Sequence, residues 1–375
     1  MTKTERLLCE LIALPSVNPA FLPAGAERAG ERQVADFVTG VAARAGLDVA
    51  FQTVRPGRPN ALARLSPHGR VRQRVLLVPH LDTVNAAPGQ FIPQRRNGRL
   101  HGRGACDTKG SVAAMLSALC DLARSKPRLQ ETEIVFAGVV DEENAQAGSR
   151  ALVAGGLKAA LAIVGEPTGL EVVTAHKGSL WLRLETHGRS AHGARPDLGR
   201  NAVHAMARIV EALETDYAAG LRKRRHPLLG SPTVSVGTIQ GGTQPNIVPA
   251  ACNITVDRRT LPGETEGGVR REITAFLRRR RLKASFTSEK LSPCLPLETN
   301  PGLPLVRRFL RSAGRRRPAG AHFFCDAAVL GNGGIPSVVF GPGDIAQAHT
   351  ADEWISLVEL ETARQILIRF LRSLP

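Results

Sequence analysis

Arg74-Val75-Leu76-Leu77-Val78-Pro79-His80-Leu81-Asp82 decides the fold: an unbroken apolar run ends at a proline and leads straight into a histidine and an acid. A short run of this kind, rich in valine and leucine, reads as a strand buried on both faces, as in a largely parallel sheet covered by helices. The pattern recurs twice. Residues 133–140 form an apolar run followed by Asp141-Glu142-Glu143, and residues 161–164 precede Gly165-Glu166-Pro167-Thr168. In open α/β sheets ligands bind beyond the carboxyl ends of the strands, so these three polar clusters are expected to meet at one rim.

Helical patterns alternate with the strands. Residues 30–45 place Val34, Phe37, Val38 and Val41 on one face, and residues 109–122 read as a second helix. From about Gly178 the character changes. Residues 180–186 alternate like a half-exposed strand, 201–214 are helical, 233–240 and 250–258 are strand-like, and 265–280 carry Val269, Ile273, Phe276 and Leu277 along one helical side. That order predicts a small α+β domain with one exposed sheet edge. Pro293, Pro296, Pro301 and Pro304 mark a linker, followed by a strand at 337–340 and a closing helix over 357–374. At 375 residues the chain exceeds one comfortable core, so two domains are expected, the larger of α/β class with a mostly parallel sheet flanked by helices.

Composition excludes several classes. The longest apolar runs, 75–78 and 134–140, are too short to cross a bilayer, and Met1-Thr2-Lys3-Thr4-Glu5-Arg6 leads into an amphipathic pattern instead of a signal-peptide core. A cytoplasmic protein without a membrane partner is expected. The six cysteines (Cys9, Cys106, Cys120, Cys252, Cys294, Cys325) include no C-x-x-C pair, which argues against a disulfide framework or a thiolate zinc site. The net charge of +17 is carried mainly by arginine, in clusters such as Arg222-Lys223-Arg224-Arg225 and Arg278-Arg279-Arg280-Arg281. With one tyrosine, two tryptophans and no RNP or zinc-finger pattern, nucleic acid is not the expected partner.

Each chemistry-bearing residue has an ordinary explanation taken alone. His80 and Asp82 could be a hydrogen-bonded structural pair, Asp107 a helix cap, Asp141-Glu142-Glu143 a solvated turn and His349 a loop histidine. The set is more specific. Two imidazoles (His80, His349) and three carboxylates (Asp107, Glu143, Glu166) make the mixed nitrogen–oxygen ligation that suits zinc or its near neighbours. If Asp107 bridges, each of two ions receives three protein ligands, and one bridging hydroxide closes the charge balance. Asp82 then orients the His80 imidazole from behind, and Glu142 is left free of metal as a general base.

These motifs resemble those of the dinuclear metallohydrolases that include acetylornithine deacetylase, succinyl-diaminopimelate desuccinylase, aminoacylases and a glutamate carboxypeptidase. The matching stretches are Pro79-His80-Leu81-Asp82-Thr83-Val84, the loop from Gly102 to Gly110 around Asp107, Val140-Asp141-Glu142-Glu143, Val164-Gly165-Glu166-Pro167-Thr168 and Ala348-His349-Thr350-Ala351-Asp352-Glu353. The resemblance implies that His80, Asp107 and Glu166 hold one ion and Asp107, Glu143 and His349 the other, with zinc expected and cobalt or manganese as alternatives. It implies a discontinuous catalytic domain of residues 1–177 and 290–375, interrupted by a lid and dimerisation domain at 178–289, and hence a homodimer. It also implies that His192 stabilises the oxyanion from the partner subunit, beside Asn246, and that Arg259 clamps the substrate carboxylate. The expected reaction is removal of an acyl group from an N-acyl amino acid through a metal-bridging hydroxide. N-acetylornithine leads, and a desuccinylase, dipeptidase or carboxypeptidase of the same superfamily is the alternative. A non-catalytic metal-binding or nucleic-acid-binding protein is the remaining class. The chain departs from the common pattern at Ala145-Gln146-Ala147-Gly148, Cys106 and Cys325-Asp326, and His176-Lys177-Gly178 looks closer to the deacetylase branch.

Overall fold

The computed structural model describes residues 1–125, 129–288 and 294–375. The chain divides into two compact units. The first comprises Met1–Thr174, Glu298–Ala319 and Cys325–Pro375, and the second Ala175–Leu297 with Gly320–Phe324. The expected junction at 289/290, with Pro293, lies outside the described residues.

The first unit is built on a nine-stranded sheet. Its centre is four parallel neighbours, in the order Thr132–Gly138, Gln73–Pro79, Leu161–Gly165 and Ser337–Val339. Every residue of Thr132–Gly138 and of Leu161–Gly165 is buried, which is why these strands read as continuous apolar runs and not as alternating ones. One flank is an antiparallel hairpin, Asp48–Arg55 with Arg58–Leu65, paired onto Thr132–Gly138. Periodicity does not mark it, because its outer strand is exposed along most of its length. The signal that does is Pro56-Gly57, where proline sets the first turn residue and glycine takes the positive φ of 70° at the second.

Helix Lys109–Ala123 is apolar on nearly every side and packs in the core with Lys3–Ile12 and Leu357–Arg372. Lys3–Ile12 starts at a capping box, Thr2 with Glu5, and Leu357–Arg372 at the Ser356 hydroxyl. No helix among the described residues is long and apolar enough to cross a membrane.

Helix Ala147–Ala154 follows the acidic triplet at very close range. Gly148 donates its N–H to the Val140 carbonyl (2.9 Å), while Asn60 ties the same two residues together through its amide. A Cβ on Gly148 would stand 2.5 Å from both Asn60 Oδ1 and Val140 N. Gly148→Ala is therefore expected to push the backbone entering Asp141–Glu143 aside. The cost is about 1–3 kcal/mol, read as a lower denaturant midpoint at unchanged slope.

The second unit has a four-stranded antiparallel sheet in the order Thr233–Gly241, Ala251–Thr260, Gly178–His187, Ser285–Ser288. Leu180, Leu182, Leu184, Ile254 and Val256 from the sheet meet Met206, Ile209, Ile273 and Phe276 from helices Ala202–Ala212 and Glu266–Arg279. Strand Ser285–Ser288 lies beyond the expected strands, and the first helix turns π-helical at Leu213–Tyr217. Thr233–Gly241 is an edge strand whose side chains are mostly exposed.

Candidate metal centre

Three adjacent parallel strands deliver the polar clusters to one rim. His80 follows Gln73–Pro79, the triplet Asp141–Glu143 comes just beyond Thr132–Gly138, and Glu166 follows Leu161–Gly165. A parallel bridge between His80 and Val139 carries the register past the strand ends.

Asp107 lies between two imidazoles. Its Oδ1 is 3.0 Å from His80 Nε2 and its Oδ2 is 3.3 Å from His349 Nε2. His349 Nε2 is also 3.2 Å from Glu143 Oε2, and His80 Nε2 is 3.9 Å from Glu166 Oε1. The helix behind this loop starts at Thr108 with no side-chain cap, so the Asp107 carboxylate serves the cluster and not the helix. Gly104, at φ 83°, allows the loop to pass over the Lys109 side chain, where a Cβ would stand 2.8 Å from Cδ. Lys109 itself is fully buried and donates to the carbonyls of Leu11 and Leu14 (3.0 and 2.7 Å).

Asp82 is the hub behind the candidate ligands. It accepts from Asn18 Nδ2 (2.7 Å) and from the backbone N–H groups of Glu142 and Glu143 (both 3.1 Å). Its carboxylate lies 3.5 Å from His80 Nδ1, which sits closer to the Asp82 carbonyl at 2.9 Å. The side chain therefore fixes the acidic segment as much as the imidazole. Asp141 separates from the other two acids. At φ 69° it turns to Asn18 (3.0 Å) and Arg58 (3.1 Å), and Arg58 is also bound to Glu31.

The electrostatics follow from packing acids together. Burial, then the charge of Glu166, pushes the Glu142 carboxyl well above its ordinary range, and burial pushes Glu166 up likewise. Burial also works upward on Asp107, but hydrogen bonds with His349 and His80 outweigh it and hold that carboxyl low. Bonds to Asp107 and Glu143 raise His349 to about 10. This donor set fits divalent cations. One donor atom each from His80, Asp107 and Glu143 lies within 4.8 Å of the others, and His80, Asp107 and Glu166 are all buried. Contacts near 3.0–3.3 Å between donors match neighbours in one zinc shell, whose bonds of about 2.1 Å place ligands roughly 3.4 Å apart.

The model of peptidase family M20/M25/M40 matches residues 76–373. The chain belongs to that family. It is 33% identical over 321 residues to an acetylornithine deacetylase of Myxococcus xanthus, spanning 83% of this chain and 82% of that one. Over 372 residues it is 30% identical to an acetylornithine deacetylase of Edwardsiella ictaluri, spanning 96% and 95%. Among solved structures, the fold is shared with the aminopeptidase PepT of Bacillus cereus, at TM-score 0.78, 22% identity and 98% and 97% coverage. An M20 family metallo-carboxypeptidase of Sulfolobus solfataricus matches at TM-score 0.77, 19% identity and 99% coverage of both chains. As an M20 member with deacetylase relatives, the chain is a metal-dependent amide hydrolase.

The remaining candidates of this M20 chain lie in the second unit. His192 and Asn246 are exposed neighbours: His192 bridges Ile247, and Gly193 N–H donates to the Asn246 carbonyl at 2.7 Å. Arg259 donates through Nε and Nη2 to Asp257 and lies 6.0 Å from the Phe324 ring.

Two buried acids near the cluster lie in stretches quoted above, Ala348–Glu353 and Cys325-Asp326, to which the motif reading gives no role. Glu353 is buried and accepts from the N–H groups of Gly104 (3.1 Å), Cys106 (2.8 Å) and Asp107 (3.0 Å), and from Arg103 Nη1 (2.6 Å). Its signal in the sequence is its place at the end of the stretch Ala348–Glu353, four residues after His349. Asp326 is buried, accepts from Ser149 Oγ at 2.5 Å and leaves Oδ2 without a partner among the described residues. Burial raises its carboxyl to about 7.

Proposed function

We propose that this chain hydrolyses the amide of an N-acyl α-amino acid, releasing a carboxylate and a free amine. The observation that carries the reading is Asp107 standing between His80 and His349, with Glu143 on one side and Glu166 on the other. His80, Asp107 and Glu166 would hold one ion, and Asp107, Glu143 and His349 a second, zinc being the first choice and cobalt or manganese able to use the same donors. When bound, such ions polarise the amide carbonyl and acidify water. Glu142 takes the water proton and returns it to the leaving amine, while Asp82 holds its backbone in place. His192 and Asn246 offer hydrogen bonds to the oxyanion, and the Arg259 guanidinium fork receives the α-carboxylate. The second unit acts as lid and dimer contact, so His192 serves the partner's site in a cytoplasmic homodimer.

The two deacetylase relatives make N-acetylornithine the reference substrate. Metal-stripped protein should release no amine from N-acetyl, N-succinyl or N-formyl amino acids. Adding back zinc, cobalt or manganese should restore turnover on at least one acyl class. Turnover confined to dipeptides would move the chain to the peptidase branch. Turnover that survives chelation would remove the metal reading.

A further inference from the structure

Three residues from early in the chain converge on the turn that carries Glu142. Asp141 opens that turn at φ 69°, in the left-handed region that an L side chain occupies only at a cost. Its main chain is pinned on both sides. The N–H donates to Glu31 Oε1 (3.1 Å), and the carbonyl accepts from the N–H groups of Ala145 (3.1 Å) and Gln146 (2.6 Å). Glu142 and Glu143 lie inside the loop that this carbonyl closes, so their direction follows from the backbone angle at Asp141.

The Asp141 side chain is held from the same quarter. Asn18 donates from Nδ2 both to Asp141 Oδ1 (3.0 Å) and to Asp82 Oδ2 (2.7 Å). Arg58 grips Glu31 through Nε and Nη2 (2.7 and 2.6 Å), and Nη2 also reaches Asp141 Oδ1 (3.1 Å). Half-exposed Arg55 approaches the other Asp141 oxygen at 3.4 Å. Asp82 returns the connection by accepting the N–H groups of Glu142 and Glu143. Asn18, Glu31, Asp82 and Asp141 are all buried. A left-handed non-glycine residue persists where its surroundings over-determine it, and here they do so from the N–H, the carbonyl and the carboxylate at once. Asn18, Glu31 and Arg58 all precede residues 76–373, the part of the chain matched to the M20 family.

We propose that Asn18, Glu31 and Arg58 are positioning residues for the hydrolytic step: they hold Asp141 left-handed and thereby aim Glu142 at the water it deprotonates. This rests on Glu142 being the general base. Their effect passes through the backbone of Asp141 and not through the charge of its carboxylate.

The test exploits that difference. Asp141→Ala and Asp141→Gly delete the same carboxylate, but only glycine reaches φ 69° without a Cβ penalty. With N-acetyl-L-ornithine and zinc-loaded protein, Asp141→Gly should exceed Asp141→Ala in kcat by about tenfold, the factor that corresponds to one left-handed residue. KM and zinc stoichiometry should stay within about twofold of the parent. Arg58→Lys keeps the charge and loses the fork. It should lower kcat about tenfold in the parent, and no more than about twofold in Asp141→Gly, where the brace has nothing left to hold. Arg72→Met, which breaks an exposed ion pair with Glu131, should change neither kcat nor KM. Hydrogen exchange on metal-free protein gives a second readout: a peptide covering 141–146 should exchange faster in Arg58→Lys than in the parent. Asn18→Ala, which leaves every charge in place, carries the same test should Arg58→Lys not fold. Equal rates for Asp141→Ala and Asp141→Gly, or a loss confined to KM or zinc content, overturns the proposal. If the parent hydrolyses no amide, or Glu142→Ala keeps its rate, the base reading fails, and the exchange comparison still decides whether these residues hold the turn.

Discussion

Glu142→Ala is expected to bind metal like the parent protein and to lose roughly 10²–10⁴-fold in kcat, the range for removing a general acid–base group. The separation of the two effects comes from the backbone. Glu142 is tied to Asp82 through its N–H and not through its carboxylate, so truncation leaves that bond (3.1 Å) and the neighbouring Glu143 bond (3.1 Å) in place. The donors grouped around Asp107 are likewise untouched. Elemental analysis of the purified variant alongside its steady-state rate is the check. A parental rate would refute Glu142 as the base, and loss of metal would make it a ligand.

Glu353→Ala should be the most damaging substitution for stability near the site. One buried carboxylate gathers three backbone N–H groups and the Arg103 guanidinium, itself buried. Truncation leaves an uncompensated buried cation, a change that costs about 3–5 kcal/mol, and three backbone donors that have lost their acceptor. Against a typical domain stability of about 5–15 kcal/mol this is a large share. Chemical denaturation should place the parent above Glu353→Gln and Glu353→Ala lowest. Metal affinity should fall in the same order, because the lost acceptor fixes the N–H of Asp107. Equal midpoints for all three proteins would show that the loop is held by something else.

The strands and the candidate metal donors were readable for one physical reason. A strand buried on both faces writes an unbroken apolar run, and a parallel strand ends at the rim where ligands gather, so His80, Glu143 and Glu166 announce themselves by what precedes them. Asp107 and His349 had only loops for context, and Asp107 reads equally well as a helix cap until its carboxylate is seen between the histidines. Glu353 and Asn18 were less legible because they act on partners far along the chain: Glu353 holds Arg103 from 250 positions away, and Asn18 holds Asp82 from 64. No local period encodes such pairs. The outer hairpin strand Asp48–Arg55 was hidden for the opposite reason, since an exposed flank need not alternate.

The excursion of Gly320–Phe324 bears on how this protein can be recombined. Residues 175–297 look like a self-contained cassette between two halves of a host, yet five residues of the same body are spelled out beyond Leu297. A chimera that exchanged only 175–297 with a relative would set the donor's residues at positions 228 and 259 against the recipient's Gly320 and Phe324. Such a hybrid should pack its second unit poorly until the short second piece is transplanted with the first.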